Sequence, residues 1–96
     1  MAIIERRAEH KVKDGKLLRC TLELDGNTIV NVRITGDFFM HPEESIVEME
    51  NIIRGTELDK RILMEKITKF HNNGIRIIGA KIDDFVTLLM KCGNER

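Results

Sequence analysis

The chain has 96 residues, of which 42% are hydrophobic and 33% charged, and its formal net charge is zero. This length suits one domain with a single core, and this balance of apolar and charged residues excludes an intrinsically disordered chain. A zero net charge and the absence of Trp and Tyr argue against proteins that hold nucleic acid by basic surfaces and stacked rings. We therefore expect a single domain over residues 1–96 that binds neither nucleic acid nor a membrane.

The same counts bear on the compartment and on metals. Cys20 and Cys92 are far apart in the chain, and they do not have the spacing of a zinc site. Glu5, Arg6 and Arg7 interrupt the short apolar start, so we expect no signal peptide. No apolar run approaches the roughly 20 residues of a transmembrane helix. The prediction is a soluble cytoplasmic protein with buried thiols and no metal site.

The first strand is only weakly indicated. Residues 3–12 place Ile4 and Ala8 on one side, but charged residues share that side. Asp14 and Gly15 then form a dipeptide that is typical of a turn. We interpret this segment as a strand followed by a reversal of the chain.

Two further strands are indicated more clearly. Residues 17–24 alternate apolar and polar, which is the period of a half-buried strand. The apolar side consists of Leu18, Cys20, Leu22 and Leu24. Residues 28–35 alternate in the same way, and the predicted inward side chains are Val30, Val32 and Ile34. Asp25-Gly26 between the two runs is a strong hairpin signal, so the pattern predicts antiparallel strands with one face in water.

Helical spacing of apolar residues begins after the third strand. Between Pro42 and Arg54 the apolar residues recur every three or four positions, and Pro42 suits a first helical turn. Gly55 ends this helix as a C′ residue. Thr56 is predicted to open the next helix, with Asp59 three residues on in an arrangement like a capping box.

The end of the chain predicts one more helix. Residues 75–81 are ambiguous between a short strand and an apolar loop packed on the core. Ile82 then starts an amphipathic run, and Asp83 and Asp84 occupy its first turn, where the helix dipole favours acids. Strands followed by helices predict an α+β fold, with a three-stranded antiparallel sheet covered on one face by about three helices.

The segment 34–44 joins the last predicted strand to the first helix. Gly36 can take backbone angles closed to other residues, and Asp37 suits a turn or cap. Phe38 and Phe39 are half of the four aromatic residues. The corner is either an architectural joint with two anchoring rings or a docking surface. Adjacent residues of an extended segment point to opposite sides, so we expect a buried Phe38 and an exposed or interfacial Phe39.

Sequence motifs of catalysis are missing. The seven glycines are scattered, and neither G-x-G-x-x-G nor a P-loop is present. The three histidines His10, His41 and His71 do not have the spacing of a zinc site. The residues by themselves therefore predict a small domain with no catalytic residue of its own.

Several runs nevertheless match a known family. They are V-K-D-G-K-L-L at 12–18, V-R-I-T-G-D-F-F at 32–39 and H-P-E-E at 41–44. Together they resemble the C-terminal accessory domain of lipoate–protein ligases, and most of all the free-standing small subunit of archaeal two-polypeptide ligases. The resemblance covers nearly the whole chain, and I-T-G-D-F-F is its most specific part.

The resemblance implies a function that the residues alone do not show. In this family the large subunit binds ATP and lipoate, forms lipoyl-adenylate and transfers the lipoyl group to a lysine of an acceptor domain. The small domain supports the activation step and lacks the catalytic lysine. We therefore expect a heterodimeric ligase subunit for protein lipoylation that is not catalytic alone and binds no cofactor alone. Its fold is expected to be similar to iron–sulfur assembly proteins of the SufE and NifU type.

Candidate site residues follow from the same resemblance. The expected interface with the large subunit comprises Gly36, Asp37, Phe38, Phe39, His41 and Pro42. Lys13 and Lys16 could approach a phosphate at that junction, or they could be merely solvated. Two alternatives stay open. One is a stand-alone interaction or sulfur and iron–sulfur assembly scaffold, which a reactive thiol would favour. The other is a small-molecule-binding domain that acts alone.

Overall fold

The structure, a computed structural model, describes residues 2–13 and 15–94. In chain order its elements are β1 Ile3–Lys11, β2 Leu17–Asp25, β3 Thr28–Gly36, β4 Phe39–His41, α1 Ser45–Ile53, α2 Lys60–His71, β5 Arg76–Ile78 and α3 Ile82–Gly93. This order confirms the α+β fold. Asp14 of the predicted first turn lies outside the described residues, whereas Gly15 takes a φ of +83°, as a turn glycine can.

The main sheet has three antiparallel strands in the order β1-β2-β3. Alternate side chains of the central strand β2 are buried, as its apolar pattern predicts. Its buried side chains are Leu18, Cys20, Leu22 and Leu24. On the edge strand β1 the same side carries partly buried residues, including Ala8. One face of the sheet therefore forms the floor of the core.

The hairpin between β2 and β3 contains a β-bulge. Leu24 pairs with Ile29, but Glu23 pairs with Asn31, so that Val30 is the extra residue on β3. As a result Ile29 is buried and Val30 is 40% exposed. The prediction of an inward Val30 was wrong, because the bulge shifts the alternation by one residue. The rest of β3 keeps the predicted phase.

The helices cover that face of the sheet in two layers. α3 packs against β1 and β2, α1 packs against β3, and α2 packs on α1 and α3. The buried side chains of the helices include Met49, Ile53, Leu63, Ile67, Phe85, Val86, Leu88 and Leu89. None of the helices in the described ranges is both long and apolar enough to cross a membrane.

The second helix begins later than the sequence indicated. α2 starts at Lys60, and Asp59 is its N-cap, with a side-chain oxygen that accepts the Ile62 N–H at 3.1 Å. Thr56 is buried instead, and its hydroxyl donates to a carbonyl of the preceding helix. Thr56 was therefore the wrong cap, because Asp59 is the residue whose extended backbone and short carboxylate meet a free N–H.

The last helix is tied to the first strand through Asp84. One carboxylate oxygen of Asp84 accepts the Lys81 N–H at 2.8 Å, and the other lies 3.1 Å from Nε2 of His10. Asp83 and Asp84 do lie in the first turn of α3, as predicted. Asp84 also holds α3 against β1 from a position that is mostly shielded from water.

Residues 75–81 contain a strand, which settles the ambiguity of the sequence. β5 pairs antiparallel with β4 as a separate two-stranded ribbon. The cross-strand pairs are Phe39 with Ile78, Met40 with Ile77, and His41 with Arg76. The ribbon therefore extends the strand-to-helix corner and brings residues far apart in the chain beside it.

Candidate functional site

The corner begins where β3 ends at Gly36. Its φ is +146°, and a Cβ at this position would overlap the carbonyl oxygen of Leu17. Asp37 then bonds to the same neighbour in both directions. Its N–H donates to the Leu17 carbonyl at 2.9 Å, and its carboxylate accepts the Leu17 N–H at 3.2 Å. Gly36 and Asp37 thus fix the exit of β3 against the start of β2.

The two adjacent phenylalanines face opposite ways. The Phe38 ring is half-buried and meets the Phe85 ring edge to face, with centroids 5.1 Å apart and planes at 81°. The Phe39 side chain is 72% exposed. This confirms the predicted asymmetry, with Phe38 as the inner ring. The core therefore uses one ring, and the other remains open to water.

Pro42 does not lie in a helical turn. It follows a cis peptide bond after His41 and belongs to the turn that precedes α1. Its carbonyl accepts the N–H of Ser45 at 3.0 Å, and α1 begins at Ser45. The prediction that Pro42 opens the helix was therefore wrong, because a separate turn lies between the ribbon and the helix.

The outward side of the ribbon forms a continuous surface. Met40 and Ile77 point inward, and Met40 is part of the buried core. On the opposite side Phe39 stands across from Ile78, which is 51% exposed. The outward side chains, which we name the ribbon surface, are Phe39, His41, Arg76 and Ile78. Neither His41 nor Arg76 forms an ion pair with any described residue.

The two candidate lysines have different surroundings. Lys13 is exposed in the turn after β1, whereas Lys16 is half-buried. The ammonium nitrogen of Lys16 lies 3.4 Å from the place that a Cβ of Gly79 would take. The carbonyl oxygen of Asp37 is 2.9 Å from the same point, and Gly79 has a φ of +98°. The structure therefore brings Lys16, Asp37 and Gly79 together at the base of the ribbon surface, and leaves Lys13 apart.

Both thiols are buried in the core. The Cys92 thiol donates to the carbonyl of Arg6 at 3.3 Å. A side-chain hydrogen bond with Cys92, together with burial, raises the pKa of the Cys20 thiol far above its ordinary value. A thiol that stays protonated is a poor nucleophile and metal ligand. Cys20 is therefore not the reactive, exposed thiol that would favour a sulfur-transfer scaffold.

Sequence reasoning missed the β5 side of the site. Arg76, Ile78 and Gly79 belong to it, but none was named as a candidate. The signal was the isoleucine-rich run I-R-I-I at 75–78, which two glycines bound at positions 74 and 79. That pattern indicates a strand, but it does not say which distant segment the strand pairs with.

Comparison with known proteins connects this geometry to a family. Residues 4–89 match the family model described as the bacterial lipoate protein ligase C-terminus. The chain is 43% identical over 79 residues to lipoate-protein ligase A subunit 2 of Thermoplasma acidophilum. The aligned region covers 82% of this chain and 81% of the relative. The matched residues include the whole ribbon surface.

A solved structure gives the same result. The chain is similar, with a TM-score of 0.74 and 35% identity, to a chain from a structural analysis of an archaeal lipoylation system. That work describes a bipartite lipoate protein ligase and its E2 lipoyl domain from Thermoplasma acidophilum. The match covers 92% of this chain and 94% of the other.

Proposed function

The chain belongs to the lipoate–protein ligase C-terminal domain family, and we propose that it is the non-catalytic accessory subunit of an ATP-dependent lipoate–protein ligase. In this role it binds a separate large subunit that holds ATP and lipoate and forms lipoyl-adenylate. It serves the lipoyl acceptor domains only through that complex. The likeness to subunit 2 of a bipartite ligase supports this role.

The observation that carries the proposal is the exposed pair of Phe39 and Ile78. A phenylalanine that is 72% exposed buries little of its surface in its own chain. Aromatic rings that fill a pocket on a partner are common anchors of protein interfaces. Phe38 already supplies the inner ring at this corner. The outer ring is therefore available for the large subunit.

Charge defines what the partner surface should look like. His41 and Arg76 pair across the ribbon next to the apolar pair. Interfaces commonly place polar groups around a dry apolar centre, with complementary charge across the contact. The large subunit is therefore expected to present an apolar pocket for Phe39 with acidic groups beside it.

Docking at this corner has a chemical purpose in the proposed reaction. Lipoyl-adenylate is a mixed anhydride that water can hydrolyse. A domain that closes over an active site excludes water and protects such an intermediate. The ribbon surface offers the apolar pair Phe39 and Ile78 for such a contact, so the accessory subunit acts by completing the site of the large subunit.

The test is reconstitution with the purified large subunit of the same ligase. Lipoate-dependent ATP–pyrophosphate exchange should stay at background for this chain alone and appear when the two are mixed. Phe39→Ala should weaken subunit binding by about 30-fold or more, the size expected for an anchor residue. Exchange by this chain without a partner would overturn the non-catalytic role.

The matched control is Ile3→Ala. Ile3 is 48% exposed, and it pairs with Asp25 at the opposite end of the sheet from Gly36. Its truncation removes exposed apolar surface without touching the ribbon surface. Subunit binding should match the unmodified chain. Equal binding by Phe39→Ala and Ile3→Ala would overturn docking at the ribbon surface.

A further inference from the structure

Lys16 is a half-buried cation with no ion-pair partner among the described residues. The carboxylate of the nearby Asp37 is hydrogen-bonded to the Leu17 N–H. A charged group that loses water needs a partner of opposite charge. Any surface that covers this corner must therefore provide an anion or leave the ammonium unsatisfied.

Lys16 lies next to the ribbon surface, so a partner that docks there is the one that would cover its ammonium. Gly79, against which the ammonium lies, directly follows Ile78, and the Asp37 carbonyl beside it precedes Phe38 and Phe39. Gly79 has no side chain to shield the ammonium from the outside. The Lys16 ammonium therefore lies beside the residue that follows Ile78, at the edge of the surface that a partner burying Phe39 and Ile78 would cover.

We propose that Lys16 binds the α-phosphate of the nucleotide in the active site of the large subunit. This inference rests on the proposed function. When a carboxylate oxygen of lipoate attacks the α-phosphorus and pyrophosphate leaves, the same phosphate remains in the acyl-adenylate. A lysine ammonium is a compact charge suited to phosphate oxygens. Lys16 is then a residue of the small subunit that touches the reacting group.

The experiment compares three variants in the reconstituted complex. Lys16→Met keeps most of the length of the side chain and removes its charge, and Lys16→Arg keeps the charge. Lys13→Met removes an exposed charge from the same turn. Exchange is measured as a function of ATP with the small subunit at saturating concentration. Subunit affinity is measured separately by titration.

The expected result separates Lys16 from Lys13. Lys16→Met should lower kcat/KM for ATP by about 10- to 100-fold, the loss expected for one charged hydrogen bond. Lys13→Met should match the unmodified complex, and Lys16→Arg should retain most of the activity. Subunit affinity of Lys16→Met, titrated without nucleotide, should change by less than about threefold, since the anion that Lys16 binds belongs to the nucleotide and not to the large subunit.

Two outcomes would overturn the assignment to phosphate. One is an exchange rate of Lys16→Met equal to that of Lys13→Met. The other is a defect that disappears when more Lys16→Met subunit is added, because Lys16 would then pair with a carboxylate of the large subunit and serve docking only. Failure of the unmodified subunits to bind each other would overturn the proposed function itself.

The lifetime of the intermediate identifies which phosphate is bound. A complex loaded with lipoyl-adenylate and freed of ATP is followed for hydrolysis. Faster hydrolysis with Lys16→Met than with Lys13→Met supports contact with the adenylate. A defect in exchange with an unchanged rate of hydrolysis would overturn contact with the α-phosphate and assign Lys16 to the phosphates that leave as pyrophosphate.

Discussion

The face of the main sheet that points away from the helices, here called the open face, and the ribbon surface are both exposed to water, but their side chains differ in chemistry. On the sheet Arg7 pairs with Glu5 at 2.9 Å and Arg19 pairs with Glu9 at 2.8 Å. Its exposed apolar residues stand singly, which is normal for a surface. On the ribbon surface two apolar side chains stand together, and Arg76 beside them has no ion-pair partner among the described residues. The sheet face therefore exposes mainly charged and polar side chains, whereas the ribbon surface exposes an apolar pair.

The largest effect should come from the inner face of the same sheet. Leu22→Ala removes a fully buried side chain from the middle of the central strand. We expect the free energy of unfolding to fall by roughly 2–5 kcal/mol, because the lost transfer energy is joined by a cavity. Urea denaturation measures this. A loss below about 1 kcal/mol would contradict the position of β2 at the centre of the core.

The comparison becomes sharper at the two neighbouring rings. Phe38→Ala should lower the free energy of unfolding by about 2–3 kcal/mol, less than a fully buried ring, because Phe38 is only half-buried against Phe85. Phe39→Ala should change it by less than about 0.5 kcal/mol. Thermal melts of the isolated chain measure both. Equal losses would make the corner purely architectural.

A smaller effect is expected at the start of α3. Asp84→Ala removes the acceptor of the Lys81 N–H and the contact with His10. The free energy of unfolding should fall by about 1–2 kcal/mol, the usual loss for a cap with a second hydrogen bond. Asp83→Ala is the control, since Asp83 is exposed in the same turn. If both variants lose the same stability, only the dipole of the helix is involved.

The smallest effect should come from the open face of the sheet. Arg19→Ala breaks the pair with Glu9, whose side chains are 64% and 58% exposed. Such pairs contribute little, so the free energy of unfolding should change by less than about 0.5 kcal/mol. The same variant should bind the large subunit normally. Weaker binding by Arg19→Ala would mean that the sheet face also meets a partner, and that the contrast with the ribbon surface fails.

Local patterns predicted what depends on local chemistry. Alternation along β2 gave its buried face, and the rule that neighbours in an extended chain diverge separated Phe38 from Phe39. The orientation of Val30 was mispredicted because a bulge depends on the register between two strands, which the sequence of one strand does not encode. Arg76 and Ile78 were not predicted as site residues because their pairing with β4 depends on tertiary packing.

The two close backbone contacts at the corner have a consequence for binding speed and persistence. Gly36 packs against the backbone of Leu17, and Gly79 packs against the backbone of Asp37. Met40 anchors the inner side of the ribbon in the core. The chain that carries Phe39 therefore needs little ordering when a partner arrives. Because less conformational entropy is lost on association, more of the contact energy remains as affinity. Variants of the exposed ring should accordingly change how long the subunits stay together more than how fast they meet.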